Sequence, residues 1–287
     1  MFSQVRQAIL PLALRQLQSR GDLERAGLLI ESLARHWRDS KPFQLLIVSP
    51  HRDVQLLRSS LPRFANIDVS VRSESDFFPF YSRFYLLPGW YRQQVVKLHV
   101  PAQLGFDGYL TLDSDVACVG DFDAATFLDG GRALSRWEPK RHHEWWPNAA
   151  TAVGLPYDVK AHGLSVTPNI LHGKLAAQTL EHFRLGPIDP MSSLGALVLR
   201  KIGTIQWTEY SLYTCVAELE ATCSTITSIG IPATSTAPSS SPSSPACGVP
   251  MISSGWSSCP TATIPAASSS SCKATRASRS SRCANTA

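Results

Sequence analysis

The chain predicts an α/β fold with a mostly parallel central sheet flanked by helices, and three observations carry that expectation. A continuous apolar run, Phe43-Gln44-Leu45-Leu46-Ile47-Val48, stops at Ser49-Pro50 and gives way to a helical pattern at 53–61, as a buried strand feeding a helix does. A second strand pattern, Gly108-Tyr109-Leu110-Thr111-Leu112, follows a helical stretch at 90–100 that opens after the Pro88-Gly89 break. With residues 67–71 as a strand between the two, strands and helices alternate at the spacing of a doubly wound sheet.

Ahead of this core, Val5, Ile9, Leu12 and Leu14, then Leu23, Leu28, Leu29 and Leu33, recur at helical spacing on either side of Gly21-Asp22. The pattern predicts two amphipathic helices over residues 1–40, read as packing or partner-contact surfaces with a membrane-surface role as the alternative. Beyond the 108–112 strand, residues 133–135 form a further candidate strand, followed by an aromatic and basic loop through Trp137, His142, His143, Trp145 and Trp146. Residues 168–183 and 208–220 then read as helices, the second with Thr208 as its N-cap.

With 44% hydrophobic and 17% charged residues in 287, the chain has material for one sizeable core and falls in the soluble globular class. All 22 acidic residues lie at or before Glu220, and four of the 27 basic ones (Lys273, Arg276, Arg279, Arg282) lie after it. The net charge of +5 therefore shrinks to about +1 over the first 220 residues, too little to argue for a nucleic-acid partner. Only Cys118 and Cys215 precede residue 221, which fits a reducing cytoplasm, and the other five cysteines show no zinc-like spacing. The short apolar stretch at 8–14 is broken by Pro11 and followed by Arg15 and Arg20. Neither a signal peptide nor a spanning helix is expected, and the chain reads as cytoplasmic, with peripheral contact at the inner membrane face left open.

Residues 221–287 hold 19 Ser and 9 Thr, no acid and no apolar periodicity. Composition alone makes this a disordered low-complexity tail. The genetic code supplies a sharper account: read one base earlier, a Ser codon (TCN) leaves a codon ending in TC, for Phe, Leu, Ile or Val. A Thr codon (ACN) leaves one for Tyr, His, Asn or Asp. The tail is thus expected to be a frameshifted, poorly ordered segment, with the domain before it incomplete at its C-terminus.

The residues best suited to chemistry are Asp113-Ser114-Asp115, which directly follow the 108–112 run. At an extended strand end, residues two apart face the same side, so both carboxylates would be presented together. Paired hard oxygen ligands at the carboxyl end of a strand suit Mn²⁺ or Mg²⁺ bound with substrate phosphates. Such a metal neutralises charge on a departing nucleoside diphosphate. A second D-x-D, Asp121-Phe122-Asp123, follows Val119-Gly120 instead of an apolar strand and reads as a surface turn or helix start.

The run Tyr109-Leu110-Thr111-Leu112-Asp113-Ser114-Asp115-Val116 resembles the strand and LDSDV-type motif of GT-A glycosyltransferases, the nucleotide-diphospho-sugar transferase superfamily. Gly89-Trp90-Tyr91-Arg92-Gln93-Gln94 with Lys97-Leu98, and Trp207-Thr208-Glu209-Tyr210 with Tyr213, are similar to segments of an uncharacterised bacterial GT-A-like group. The resemblance implies a Rossmann-like GT-A domain over 41–220 that binds Mn²⁺ or Mg²⁺. It also implies transfer of a sugar from a nucleoside-diphosphate sugar to a carbohydrate or glycolipid acceptor. On that resemblance Asp113 and Asp115 hold the metal, and Ser49, Arg92, Gln94 and Lys97 are donor-contact candidates, a solvated helix face being the plainer reading of the last three.

Glu209, in the first turn of a helix beside Trp207 and Tyr210, is the candidate acceptor-side acid or base. A helix N-terminus also favours a carboxylate on dipole grounds alone. His162, Asn169 and His172 are candidates for an acceptor pocket, and Trp145 with Trp146 for stacking on a sugar ring, against surface and core roles respectively. The competing functional reading is an inactive truncated fragment or a sugar-nucleotide-binding module. A nucleotidyltransferase is disfavoured because Ser49-Pro50-His51-Arg52-Asp53 has no glycine with which to cradle phosphate.

Overall fold

The computed structural model describes residues 4–14, 20–78, 87–164, 167–182 and 207–223. In chain order its elements are β1 (Gln7–Pro11), α1 (Arg20–His36), β2 (Phe43–Ser49), α2 (His51–Ser60), β3 (Ile67–Ser73), α3 (Gly89–Gln103) and β4 (Gly108–Thr111). There follow β5 (Leu128–Asp129), β6 (Arg132–Ala133), β7 (Trp137–Pro139), α4 (Trp145–Val153), β8 (His162–Leu164), β9 (Asn169–His172), α5 (Gly173–His182) and α6 (Glu209–Cys223). The central sheet has the order β3-β2-β1-β4-β9, with the first four strands parallel and β9 antiparallel to β4. β5 with β6 and β7 with β8 form two small antiparallel pairs.

Strand alternation sorts the core into two layers. Ile9, Leu46, Val48 and Tyr109 face a cluster with α3, α4, α5 and α6. Ala8, Leu10, Phe43, Leu45, Ile47 and Leu110 face the other cluster, with α1 and α2. Helices thus cover both faces, which is why β1, β2 and β4 are nearly continuous apolar runs with no polar face of their own.

Three expectations are corrected. Residues 7–11, expected in a helix, form the middle strand of the sheet: a strand buried on both faces shows no alternation, and Val5, Ile9 and Leu12 happen to fall at helical intervals. Of the helix expected over 168–183, Asn169–His172 instead pairs with β4, and α5 begins at Gly173. Gly173 has a steric reason to be glycine, since a Cβ there would meet the Phe106 carbonyl oxygen at 1.8 Å. Of the expected strand at 133–135, only Ala133 is in one, as the end of β6. As for the tail, residues 221–223 complete α6, and 224–287 lie outside the described residues.

Candidate functional site

From β1 the chain steps outward through β2 to β3, then β4 returns to the opposite side of β1. This reversal puts the topological switch point between β1 and β4, where doubly wound sheets open a crevice beyond the carboxyl ends of their strands. Asp113 and Asp115 stand just past the end of β4, at that position.

Lys97 enters the same place from α3 and is 2% exposed. Its Nζ lies 2.8 Å from Asp113 Oδ1 and 2.7 Å from Glu209 Oε1, and it donates to Thr167 Oγ1 at 3.2 Å. An ammonium carries three N–H donors, and these three oxygens account for all of them. Beside it, the Tyr210 hydroxyl lies 2.6 Å from Thr111 Oγ1 and 2.9 Å from Thr167 Oγ1, with the Tyr210 ring centroid 5.7 Å from Lys97 Nζ. Thr111 Oγ1 in turn donates to the Asn169 carbonyl at 2.9 Å, linking the cluster to β9.

The start of α6 is built to hold Glu209 in this cluster. Thr208 Oγ1 accepts from Ser211 N at 3.0 Å while Ser211 Oγ accepts from Thr208 N at 2.8 Å, a reciprocal N-terminal cap. The Glu209 N–H, an orphan donor of the first turn, is taken by Gln94 Oε1 at 2.9 Å. Burial works against the Lys97 charge, but Asp113 and then Glu209 outweigh it and hold the ammonium well above its usual range. Burial raises the Glu209 carboxyl, opposed by Lys97. Partial burial also penalises Asp113, yet Lys97 and a hydrogen bond from Thr167 hold its carboxyl below the usual range. One cation between two carboxylates leaves a negative charge in excess, with exposed Asp115 adding another at the rim.

Asp113 and Asp115 do not share a side by strand alternation, as expected from sequence. The strand ends at Thr111, and Val116 N reaches the Asp113 carbonyl at 3.4 Å, so the motif is a turn. Arg92, Gln94 and Lys97 are all buried, which excludes the solvated-face reading: Arg92 Nε lies 3.6 Å from Glu74 Oε1, and Gln94 and Lys97 meet α6. Ser49 closes β2, two strands from β4 and roughly 10 Å away by sheet spacing. Its hydroxyl is fully buried and has no hydrogen-bonding partner among the described residues.

Residues 3–235 match the model of a family described as a family of unknown function, DUF6492. The chain belongs to DUF6492. No curated protein shows significant similarity to it. Among solved structures, the apo form of mouse xyloside xylosyltransferase 1 is similar to this DUF6492 chain at 15% identity and a TM-score of 0.44, over 76% of this chain and 83% of that one.

The remaining sequence candidates in the DUF6492 chain fall away from the cluster, apart from Asn169. That residue is buried on β9 opposite Thr111. His172, at the other end of β9, has Nε2 3.3 Å from Asp107 Oδ1, and His162 is exposed on β8. Trp146 is a core residue, 1% exposed, against which a Cβ on Gly163 would lie at 2.0 Å, while Trp145 stacks on His143 with ring centroids 3.9 Å apart. In the second D-x-D, Asp121 binds His36 and Arg38, Asp123 caps the 125–126 turn, and Phe122 packs between Trp37 and Phe43. Thr111, Thr167 and Tyr210 were not singled out from sequence. Thr111 had a readable signal, as the polar residue of an otherwise apolar buried strand two positions before Asp113.

Proposed function

We propose that this chain is a metal-dependent glycosyltransferase that moves a sugar from a nucleoside-diphosphate sugar to a carbohydrate or glycolipid acceptor. The observation that carries this reading is the carboxylate-rich cluster of Lys97, Asp113, Glu209 and Asp115 at the switch point of a mostly parallel sheet. The likeness of segment 109–116 to the motif of GT-A glycosyltransferases, and of 89–98 and 207–213 to an uncharacterised bacterial GT-A-like group, supports it as well.

The donor set fits a hard divalent cation. Asp113 and Asp115 offer carboxylate oxygens, and among the described residues no group of three or more His, Cys, Asp or Glu could enclose a metal by itself. Mn²⁺ and Mg²⁺ suit such a pair because they retain waters and take substrate phosphate oxygens as further ligands. When bound, the metal would neutralise charge developing on the leaving nucleoside diphosphate. Within the chain, Lys97 fixes Asp113 and Gln94 fixes the backbone of Glu209, so the carboxylates are oriented before any ligand arrives. Ser49 is kept as a proposed donor contact on the β2 side, its unpartnered hydroxyl closed to solvent in the unliganded chain.

Among the described residues no helix is long and apolar enough to cross a membrane.

The test is release of nucleoside diphosphate from a panel of UDP-, GDP- and dTDP-sugars, with and without Mn²⁺, using a simple sugar or a lipid extract as acceptor. Mn²⁺-dependent release that is lost in Asp115→Asn supports transfer. Saturable binding of a nucleotide sugar without release favours a binding module, and neither binding nor release discards the reading.

A further inference from the structure

The geometry points to a role for Glu209 that acts through Lys97: it balances the buried ammonium, so that the three-residue cluster keeps a net negative charge, with Asp113 as its open end, for a divalent cation. This inference rests on the metal reading above and assigns Lys97 and Glu209 as positioning residues that touch neither metal nor sugar.

At 2% exposure Lys97 must have a counter-charge, because an unpaired cation there would lose its hydration with nothing in return. If Asp113 were the only carboxylate in reach, the two would form a neutral pair and the metal side of Asp113 would face a fixed cation. Glu209 changes that sum. Its side chain is 3% exposed against 37% for Asp113, so of Lys97's two carboxylate partners Glu209 is the one sealed away from ligands. The triad of one cation and two anions keeps a full negative charge, and its open end is Asp113.

The same geometry argues against direct roles for these two residues. All three Lys97 donors are engaged by Asp113, Glu209 and Thr167, so none is left for a donor phosphate. Glu209 spends Oε1 on Lys97 and its backbone N–H on Gln94, inside packed surroundings rather than facing an acceptor.

The experiment is titration of the full-length protein with Mn²⁺ alone, following free Mn²⁺ by electron paramagnetic resonance, for wild type, Glu209→Gln, Lys97→Gln and the double variant. Glutamine keeps the shape and one oxygen able to accept from Lys97 while removing the charge, so in Glu209→Gln Mn²⁺ affinity should fall about tenfold or more. The double variant removes both buried charges, a change that cores tolerate, and should return affinity to within about threefold of wild type. Lys97→Gln alone should bind no more weakly than wild type.

Rescue of one variant by the other is a result that a purely packing role for Glu209 does not produce. Lys97→Met/Glu209→Gln serves as the second double variant should the first fail to give a cooperative thermal transition. The inference is overturned if Glu209→Gln binds Mn²⁺ as wild type does, or if both doubles remain as weak as the single. If wild type itself does not bind Mn²⁺ at millimolar concentration, the metal reading fails and this inference falls with it. Wild-type binding without rescue leaves the metal reading standing and removes this inference alone.

Discussion

The Tyr210 hydroxyl and the Thr111 hydroxyl lie 2.6 Å apart, joining residues 99 positions distant in the chain within a fully buried environment. Tyr210 also meets Thr167 at 2.9 Å, so one phenol connects the end of β4, the approach to β9 and the start of α6. Tyr210→Phe removes two buried hydrogen bonds, while Thr111 keeps the Asn169 carbonyl and Thr167 keeps Lys97, and should cost about 1–2 kcal/mol in denaturant unfolding. Adding Thr111→Val should cost less than the sum of the two single changes, because the second removes a partner already lost. Strict additivity in that cycle would mean the two hydroxyls are not coupled.

The two D-x-D motifs should separate cleanly in metal binding. On the proposed metal reading, Asp115→Asn should lower Mn²⁺ affinity by about tenfold, since it removes one of the two carboxylates that the described residues leave open to a metal at the switch point. Asp121→Asn should leave affinity unchanged and the unfolding midpoint close to that of wild type, because Asp121 is a solvent-screened surface partner of His36 and Arg38. Equal effects of the two substitutions would reassign the site.

His99 gives the fold an acid-side dependence that can be isolated. It is 7% exposed, stacks on Phe78 at 4.8 Å, and has Nε2 3.2 Å from the Phe77 carbonyl, so that nitrogen carries the proton as donor. Burial outweighs this hydrogen bond and lowers its pKa below the ordinary 6.5. The unfolded chain therefore takes up a proton near pH 6.5 that the folded chain refuses, and stability drops as pH falls below that value, by at most about 1.4 kcal/mol per pH unit. In His99→Gln, urea unfolding between pH 7 and 5 should show a slope reduced by this one-proton contribution.

Two glycines differ in what surrounds them, and the difference predicts an order. A Cβ at Gly173 meets backbone, the Phe106 carbonyl oxygen at 1.8 Å, and at Gly163 meets the Trp146 ring at 2.0 Å. Backbone yields less readily than a ring, so Gly173→Ala should be the more destabilising, with Gly163→Ala costing about 1–3 kcal/mol. Thermal melts of the two variants under one buffer condition decide the order.

The α/β class was legible in β2 and β4 because a strand covered on both faces writes itself as an unbroken apolar run, in the edge strand β3 because Ile67, Val69 and Val71 alternate with polar residues, and in α2 and α3 from their helical period. The same property hid β1, whose few apolar residues also fit a helix. Asp113 could be read because it follows its strand directly. Nothing local distinguished Lys97 from its neighbours on α3, since its importance lies in meeting Glu209 across 112 positions, a contact made only by packing α3 on α6. The turn at 113–116 was missed for a similar reason: pattern gives a strand's existence better than its last residue.

The central place of β1 has a consequence for biosynthesis. Its register joins Ala8 to Leu45 on one edge and to Leu110 on the other, so the earliest made of these three strands waits for a neighbour about a hundred residues later. Until β4 emerges, an apolar strand with an unpaired edge is open to any other extended segment. A released chain truncated before residue 108 would leave that edge uncovered, whereas one truncated after 111 would carry the strand that covers it.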